Sequence, residues 1–227
     1  MFYLDGMKPI KTWNPFVGCK FDCTYCWARR MAKRLANCNL CRNFVPHEHP
    51  ERLSRIPSSN IIFVVDMGDI SFASQEYRNQ IAEAIIKHQK ERIWFFESKN
   101  PKSLQIIYQR LELIADNLIF STTIETDNYE ITRKISKAPD PFQRAKNLAL
   151  FPVKKHVSIE PILPFNMQSL LKLIDLINPE IISVGLDNWN TGIPKPSIAE
   201  VEFLMDELQG KGYFVEDKSN IKGGLDG

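Results

Sequence analysis

From Ile61 onward the chain alternates short apolar runs with helix-period stripes, and this alternation constrains the fold more than any other feature. Ile61–Val65 (IIFVV) is a continuous apolar run of strand length, as in a parallel strand buried on both faces. Ser74–Lys90 follows as a helix, with Ile81, Ile85 and His88 on one face, and Ile93–Phe96 is the next strand. Pro101 suits a first helical turn, ahead of a stripe of Leu104, Ile107, Tyr108 and Leu111. Leu118–Ser121, His156–Ile159, Ile181–Val184 and Tyr213–Val215 read as further strands. Between them lie a helical region over Tyr129–Leu150 broken at Pro139 and Pro141, a stripe of Leu170, Ile174 and Ile177, and a stripe of Val201, Leu204, Met205 and Leu208.

Repeated strand–helix units imply an α/β fold of parallel strands with helical crossovers. Six or seven units suit an open or incomplete (β/α) barrel better than a closed eightfold one; a doubly wound parallel sheet is the runner-up. Either architecture puts active groups just beyond the C-terminal ends of the strands. Residues 1–227 read as one domain, interrupted at about 37–60 by an inserted loop or small metal-binding subdomain with two cysteines, two histidines and three prolines.

Ahead of this array, Thr12–Val17 is β-like and Tyr25–Ala36 is rich in helix formers. Between them Cys19, Cys23 and Cys26 stand at C-x3-C-x2-C spacing. Three thiolates on one tight loop can hold three irons of a [4Fe–4S] cube and leave the fourth open. A structural zinc site is the competing reading, since Cys38 and Cys41 could complete a four-sulfur set. The cluster explains more: the unequal gaps, the aromatic Tyr25 beside the last cysteine, and the place after a first strand.

On Cys19, Cys23, Tyr25 and Cys26 the sequence resembles the radical S-adenosylmethionine superfamily. Thr12-Trp-Asn-Pro, Gly18-Cys19, Cys26-Trp-Ala-Arg, His49-Pro-Glu-Arg-Leu53, Ile62-Phe-Val and Ser158-Ile-Glu-Pro161 extend the resemblance to a phage-associated branch of it. The resemblance implies a partial (β/α)6-type barrel with outer helices. It also implies that S-adenosylmethionine chelates the open iron, and that an electron donor of flavodoxin or ferredoxin type reduces the cluster. Reductive cleavage would give a 5′-deoxyadenosyl radical that abstracts a substrate hydrogen. Tyr25 would belong to the cofactor-binding motif, and Gly68 with Asp69 loosely matches a segment that binds the methionine amino group.

Other strand ends offer further cofactor contacts. Lys99 could pair a carboxylate or be a solvated lysine before Pro101. Thr122 and Glu125 suit ribose hydroxyls, although threonines also simply favour strands. Glu160 follows a buried strand, where an acid is costly unless paired or used; it is the candidate catalytic residue. Asp69 has an ordinary reading too, as a helix-capping acid. Trp189, within Asp187-Asn-Trp-Asn190, could stack on a flat substrate or merely pack, and Glu216-Asp-Lys218 ends the last strand. His88 and His156 read as scaffold, and Arg29, Arg30, Lys33 and Arg34 as the wet face of a helix or a phosphate-facing one.

Cys38, Cys41, His47 and His49 form a second candidate metal set, two sulfurs and two nitrogens fitting tetrahedral zinc; part of a second cluster, for which two cysteines rarely suffice, and free thiols in a loop are the alternatives. Five cysteines, an odd number confined to residues 19–41, argue against a disulfide framework and for metal ligation in a reducing compartment. The N-terminus lacks a signal-peptide pattern and no apolar run approaches the ~18 residues of a membrane span, so a cytoplasmic, membrane-free protein is expected. A net charge of +2 leaves a nucleic-acid partner open. Two functions compete: a radical S-adenosylmethionine enzyme, its substrate leaning towards nucleic acid or a nucleotide, and a non-enzymatic zinc or iron–sulfur module, perhaps bound to nucleic acid.

Overall fold

The computed structural model describes residues 10–35, 38–88 and 92–218. The first residues, read above for a signal sequence, lie outside this set, as do Ala36 and the expected helix end at Lys90.

Seven parallel strands form one sheet: β1 (Lys11–Trp13), β4 (Ile61–Val64), β5 (Ile93–Glu97), β6 (Leu118–Thr123), β7 (Lys154–Ile159), β8 (Ile181–Val184) and β9 (Phe214–Asp217). Their spatial order is their chain order, and β1 and β9 are the edges. A doubly wound sheet would reverse direction at a switch point; this one never does. The architecture is therefore the open parallel barrel, not closed on itself, and the runner-up is excluded.

The expected β-like run over Thr12–Val17 divides at Asn14-Pro15. Its first half, β1, pairs with β4 from Lys11↔Ile62 to Trp13↔Val64. Its second half, β2 (Phe16–Val17), leaves the barrel for an antiparallel ribbon with β3 (His47–Glu48) in the insert. Proline cannot donate to a ladder, and Asn14 and Pro15 instead serve as acceptors. Asn14 takes Met67 N at 2.8 Å through Oδ1 and Arg52 Nη1 at 3.0 Å through its carbonyl; Pro15 O takes His49 N at 2.7 Å and the Tyr77 hydroxyl at 3.0 Å. The Thr12-Trp-Asn-Pro segment thus ties barrel to insert.

The α-helices among the described residues are α1 (Trp27–Leu35), α2 (Asn39–Arg42), α3 (Gln75–Lys87), α4 (Gln105–Leu111), α5 (Tyr129–Ile135), α6 (Pro141–Ala149), α7 (Met167–Ile177) and α8 (Ile198–Gly210). Caps set several starts. Ser74 accepts from Tyr77 N, Asn166 from Ser169 N, and Asp140 from Phe142 N with Pro141 at the first turn. Ser197 and Glu200 close a capping box. The short α2 lies within the inserted loop or small subdomain expected at about 37–60.

Strand periodicity divides the core in two. Ile62, Val64, Trp94, Phe96, Leu118, Phe120, Val157, Ile159 and Ile182 point outward into the apolar layer beneath the helices. Ile61, Phe63, Phe95 and Ile119 point inward and plug the barrel interior. Each fully buried Phe or Ile contributes about 1.5–3 kcal/mol. Above the plug the inward positions become polar: Ser121, His156 and Ser183 form a buried chain in which His156 Nδ1 meets Ser121 Oγ at 2.7 Å and its Nε2 meets Ser183 Oγ at 2.9 Å. Burial, then Lys218, drives the His156 pKa down to about 3, so it is a neutral scaffold imidazole. No helix among the described residues is long and apolar enough to cross a membrane.

Candidate active site

A cavity of about 390 Å³ opens at the C-terminal ends of the strands. Cys19, Cys23 and Cys26 all line it. The cysteine loop leaves β2 at Gly18, whose φ of +98° belongs to glycine. Gly18 N donates to Met67 O at 3.0 Å, and Asp69 N donates to Gly18 O at 3.2 Å, so the loop continues the sheet beside the end of β4. Its far side is fastened to the end of α5 and the segment after it: Thr24 N donates to Ile135 O at 2.9 Å and Lys137 N to Phe21 O at 2.6 Å. Cys23 Sγ lies 3.1 Å from Ser136 Oγ, Cys19 Sγ accepts from Phe21 N at 3.4 Å, and Cys26 Sγ from Arg29 N at 3.4 Å. Burial pushes the thiols of Cys19 and Cys26 up; a bound metal would have to displace their protons. Among the described residues all five cysteines are free thiols.

Another part of the lining is acidic. Asp66, Asp69, Glu97 and Glu160 form it, with Ser98, Lys99, Thr123 and Ser158 between. Asp66 Oδ1 and Glu160 Oε1 are buried with no hydrogen-bond partner. Burial, reinforced by Glu97, raises the carboxyls of Asp66 and of Glu160 to about 7 in each case. Burial raises Glu97 as well, although Thr123 Oγ1 donates to it at 2.9 Å. Val65, the last residue before this acidic turn, has φ +63°, an uncommon conformation for a β-branched side chain and a local strain at the pocket wall.

The structure redistributes the candidate residues. Tyr25, Gly68, Asp69, Lys99 and Glu160 line the pocket. Asp69 is already engaged: Oδ1 accepts from Ser71 N at 2.9 Å and Ser98 Oγ at 2.8 Å, and Oδ2 from Lys99 N at 2.9 Å. It caps one turn and ties the ends of β4 and β5 together. Thr122 faces the helices and gives its hydroxyl to Ser98 O at 2.8 Å; one residue on, Thr123 faces the pocket. Glu125 lies behind the wall, fully buried, and is not among the lining residues. It accepts from the Tyr25 hydroxyl, from Lys99 Nζ and, at 2.7 Å, from the fully buried Arg144 Nη1. Burial alone would raise its pKa, but Arg144 and Lys99 outweigh burial and hold it well below the usual carboxylate range. Lys99 therefore serves a buried network with Tyr25 and Glu125, its Nζ 3.0 Å from the tyrosine oxygen.

Arg144, Asp66, Glu97 and Thr123 are the site residues that sequence reasoning passed over. Arg144 had a signal: it shares the apolar α6 face with Pro141, Ala145 and Leu148, where an unpaired arginine would be costly. The rim carries Trp27 and Trp189, 36% and 40% exposed, and the Arg30 guanidinium sits 5.7 Å from the Trp189 ring centroid. Asp187 holds the Trp189 turn by accepting from Trp189 N at 3.1 Å and Thr191 N at 2.6 Å.

The second set is also assembled. Cys38, Cys41, His47 and His49 bring their ligand atoms within 4.8 Å of one another, outside the main cavity.

Fold and site define an open parallel α/β barrel with a three-cysteine loop at its C-terminal mouth. The chain belongs to the family described as "Protein of unknown function (DUF5131)", whose model matches residues 9–178. Among solved structures it is similar to Streptococcus suis SuiB, at 11% identity and a TM-score of 0.59, over 92% of this chain and 48% of that one. It thus spans about half the length of SuiB. It is similar to a spore photoproduct lyase mutant with bound AdoMet and dinucleoside spore photoproduct, at 12% identity and a TM-score of 0.59, over 94% of this chain and 77% of that one. It is also similar to anSMEcpe with bound AdoMet, at 13% identity and a TM-score of 0.57, over 92% and 64% of the two chains. At these identities the likeness is one of fold, and the fold is the one expected from the radical S-adenosylmethionine resemblance. Comparison with curated protein sequences gave no match.

Proposed function

We propose that this protein is a radical S-adenosylmethionine enzyme whose [4Fe–4S] cluster is held by Cys19, Cys23 and Cys26. The observation that carries the reading is that three cysteines of one loop line one cavity, together with acids that offer buried carboxylate oxygens without partners. Three sulfurs suit a cube with one iron left open, and about 390 Å³ lies within the usual range for small-molecule sites. The AdoMet-bound neighbours of the same fold support this choice of cofactor. When bound, the cluster and S-adenosylmethionine supply one-electron cleavage of a C–S bond and a radical that takes hydrogen from a substrate.

The chain's own residues do the positioning. Gly68 lets the β4 end approach closely, leaving its backbone beside the cysteines. Asp66 and Glu160 offer acceptors to an ammonium or to other hydrogen-bond donors, and a ligand donor there would end their unpaired state. Tyr25, Lys99, Glu125 and Arg144 lock the last turn of the cysteine loop to β5, β6 and α6. Glu160, next to a cis peptide bond before Pro161, lies at the end of β7 in the pocket wall and is the candidate catalytic residue for exchanging a proton with substrate.

The substrate reading is nucleic acid or a nucleotide. Trp27, Trp189 and Arg30 at the rim suit a stacked base and its phosphate, and acids on the wall suit the amino and imino donors of bases. An external donor of flavodoxin or ferredoxin type would deliver the electron near the exposed side of the cysteine loop.

The test is anaerobic reconstitution with iron and sulfide, chemical reduction, and measurement of 5′-deoxyadenosine. A fully loaded, reduced protein that forms none overturns the reading. Substitution of Cys19, Cys23 or Cys26 by Ala is expected to abolish both cluster absorbance and product.

A further inference from the structure

The insert carries α2 and β3 and lends Phe44 to the cavity lining, and its four potential ligands converge. Cys38 precedes α2 and Cys41 lies within it; His47 and His49 flank Glu48 at the strand β3. From Cys41 Sγ the two Nε2 atoms stand 3.4 Å (His47) and 3.1 Å (His49) away, and Cys38 Sγ is 3.5 Å from His47 Nε2. A tetrahedral ion with metal–sulfur bonds near 2.3 Å and metal–nitrogen bonds near 2.05 Å has ligand–ligand edges of about 3.3–3.8 Å. The sulfur–nitrogen edge is about 3.6 Å; two of the observed distances, 3.5 and 3.4 Å, lie close to it, and the third, 3.1 Å, lies below it.

A second observation points the same way. Each imidazole is oriented through its other nitrogen: His47 Nδ1 lies 2.7 Å from Val45 O, and His49 Nδ1 lies 2.8 Å from Glu51 Oε1. Both acceptors require Nδ1 to carry the proton, which leaves each Nε2 free to face the thiols. Carbonyl and carboxylate partners of this kind fix metal-binding histidines elsewhere. Two sulfurs and two nitrogens interleaved around one point suit a single borderline-soft divalent ion. A Rieske-type cluster would put the thiolates on one iron and the imidazoles on the other, segregating what is here mixed.

We infer that Cys38, Cys41, His47 and His49 bind one zinc ion, separate from any cluster on Cys19, Cys23 and Cys26. Its role follows from what the insert touches. His47 pairs with Val17, two residues before Cys19. Phe44, between the two halves of the ligand set, forms one apolar cluster with Ala28 and Ala32, against which Cys19 and Cys26 pack, and it lines the pocket. Val45 presses on Gly18 so closely that a Cβ there would overlap its carbonyl. The ion would close a knuckle of residues 38–49 that holds Phe44 in the lining of the active site.

The test uses the full chain purified without oxygen. A variant with Cys19, Cys23 and Cys26 all changed to Ala is expected to retain about one zinc per chain and no iron. Replacing that zinc with Co(II) should give the visible bands of tetrahedral thiolate coordination. The double variant C38S/C41S should lose the zinc and still take up iron and sulfide on reconstitution. If that variant does not fold, alkylation of the triple-Ala variant decides: Cys38 and Cys41 should be protected until zinc is chelated. Zinc that vanishes with the triple substitution, iron and sulfide retained on Cys38 and Cys41, or equal alkylation with and without chelator would each overturn the inference.

Discussion

Gly18 and Gly68 meet backbone to backbone between the cysteine loop and the end of β4. A Cβ on Gly68 would stand 2.8 Å from Gly18 O and 2.9 Å from Gly18 N, and one on Gly18 would overlap Val45 O. The Cys19 thiol is thereby set beside the sheet end by two missing side chains. G68A is expected to cost about 1–3 kcal/mol, since only backbone can yield. G18A should cost more because its φ is also unsuited to alanine. Iron uptake per folded chain should fall in both. Chemical denaturation and iron analysis check this; wild-type stability and iron content in G68A would show that the loop is placed by other contacts.

The Glu125–Arg144 pair is a second structural keystone, fully buried and reached by Tyr25 and Lys99. E125Q leaves two cations facing an uncharged amide and is expected to cost roughly 3–5 kcal/mol. The sign with pH follows from the depressed carboxyl. Its stabilisation is complete above the unfolded value of about 4.3 and fades as pH falls through the lower folded value. The E125Q deficit should therefore be full at pH 7 and shrink in acid. Adding R144M to E125Q should recover part of the loss. Urea midpoints at several pH values measure both; a deficit independent of pH would mean the charge on Glu125 contributes nothing.

Much of this site was readable from the chain, and the misses share a physical cause. Continuous apolar runs such as Ile61–Val65 announce parallel strands because both faces are covered, but for the same reason they do not say which face is inside. That ambiguity selected Thr122, which turns to the helices, over Thr123, which turns to the pocket. Glu125 was read as a ligand contact because it follows a strand, whereas its partner Arg144 lies nineteen positions on, on another element. Asp66 and Glu97 are unremarkable acids until the fold buries them beside Glu160. The cysteine loop was legible because its spacing is itself local chemistry. The insert was legible only as composition: the pairing of Phe16–Val17 with His47–Glu48 joins segments some thirty residues apart with no periodic signal.

The rim should report on substrate class. If Trp189 stacks a base, W189A should weaken binding of a single-stranded oligonucleotide by about 5- to 150-fold, from ~1–3 kcal/mol per stacked base. R30A should reduce the slope of log affinity against log salt by about 1. Fluorescence anisotropy across a salt series reads both. Binding that is weak and indifferent to salt in the wild type would remove nucleic acid as the substrate class.

Asp66 and Glu160 make the cofactor-free protein sensitive to pH in the opposite sense from Glu125. Both carboxyls titrate near 4 when unfolded and about 7 in the fold. Between those values the native state holds more protons than the unfolded one, so each rise in pH lowers stability. The groups that face Glu160 are Glu97 and Glu216, which oppose its ionisation, and Lys218, which favours it; Asp66 feels Glu97. Above pH 7 each ionised acid costs up to about 4 kcal/mol before the site relaxes. E160Q and D66N should therefore match the wild type near pH 4 and exceed it at pH 8, by about 1–3 kcal/mol each after relaxation. A ligand that donates hydrogen bonds to these oxygens should remove the wild-type decline with pH while leaving E160Q unmoved. Parallel stability curves for wild type and E160Q from pH 4 to 8 would show that the Glu160 carboxyl is solvated in the free protein, and its place in the proposed chemistry would fall with it.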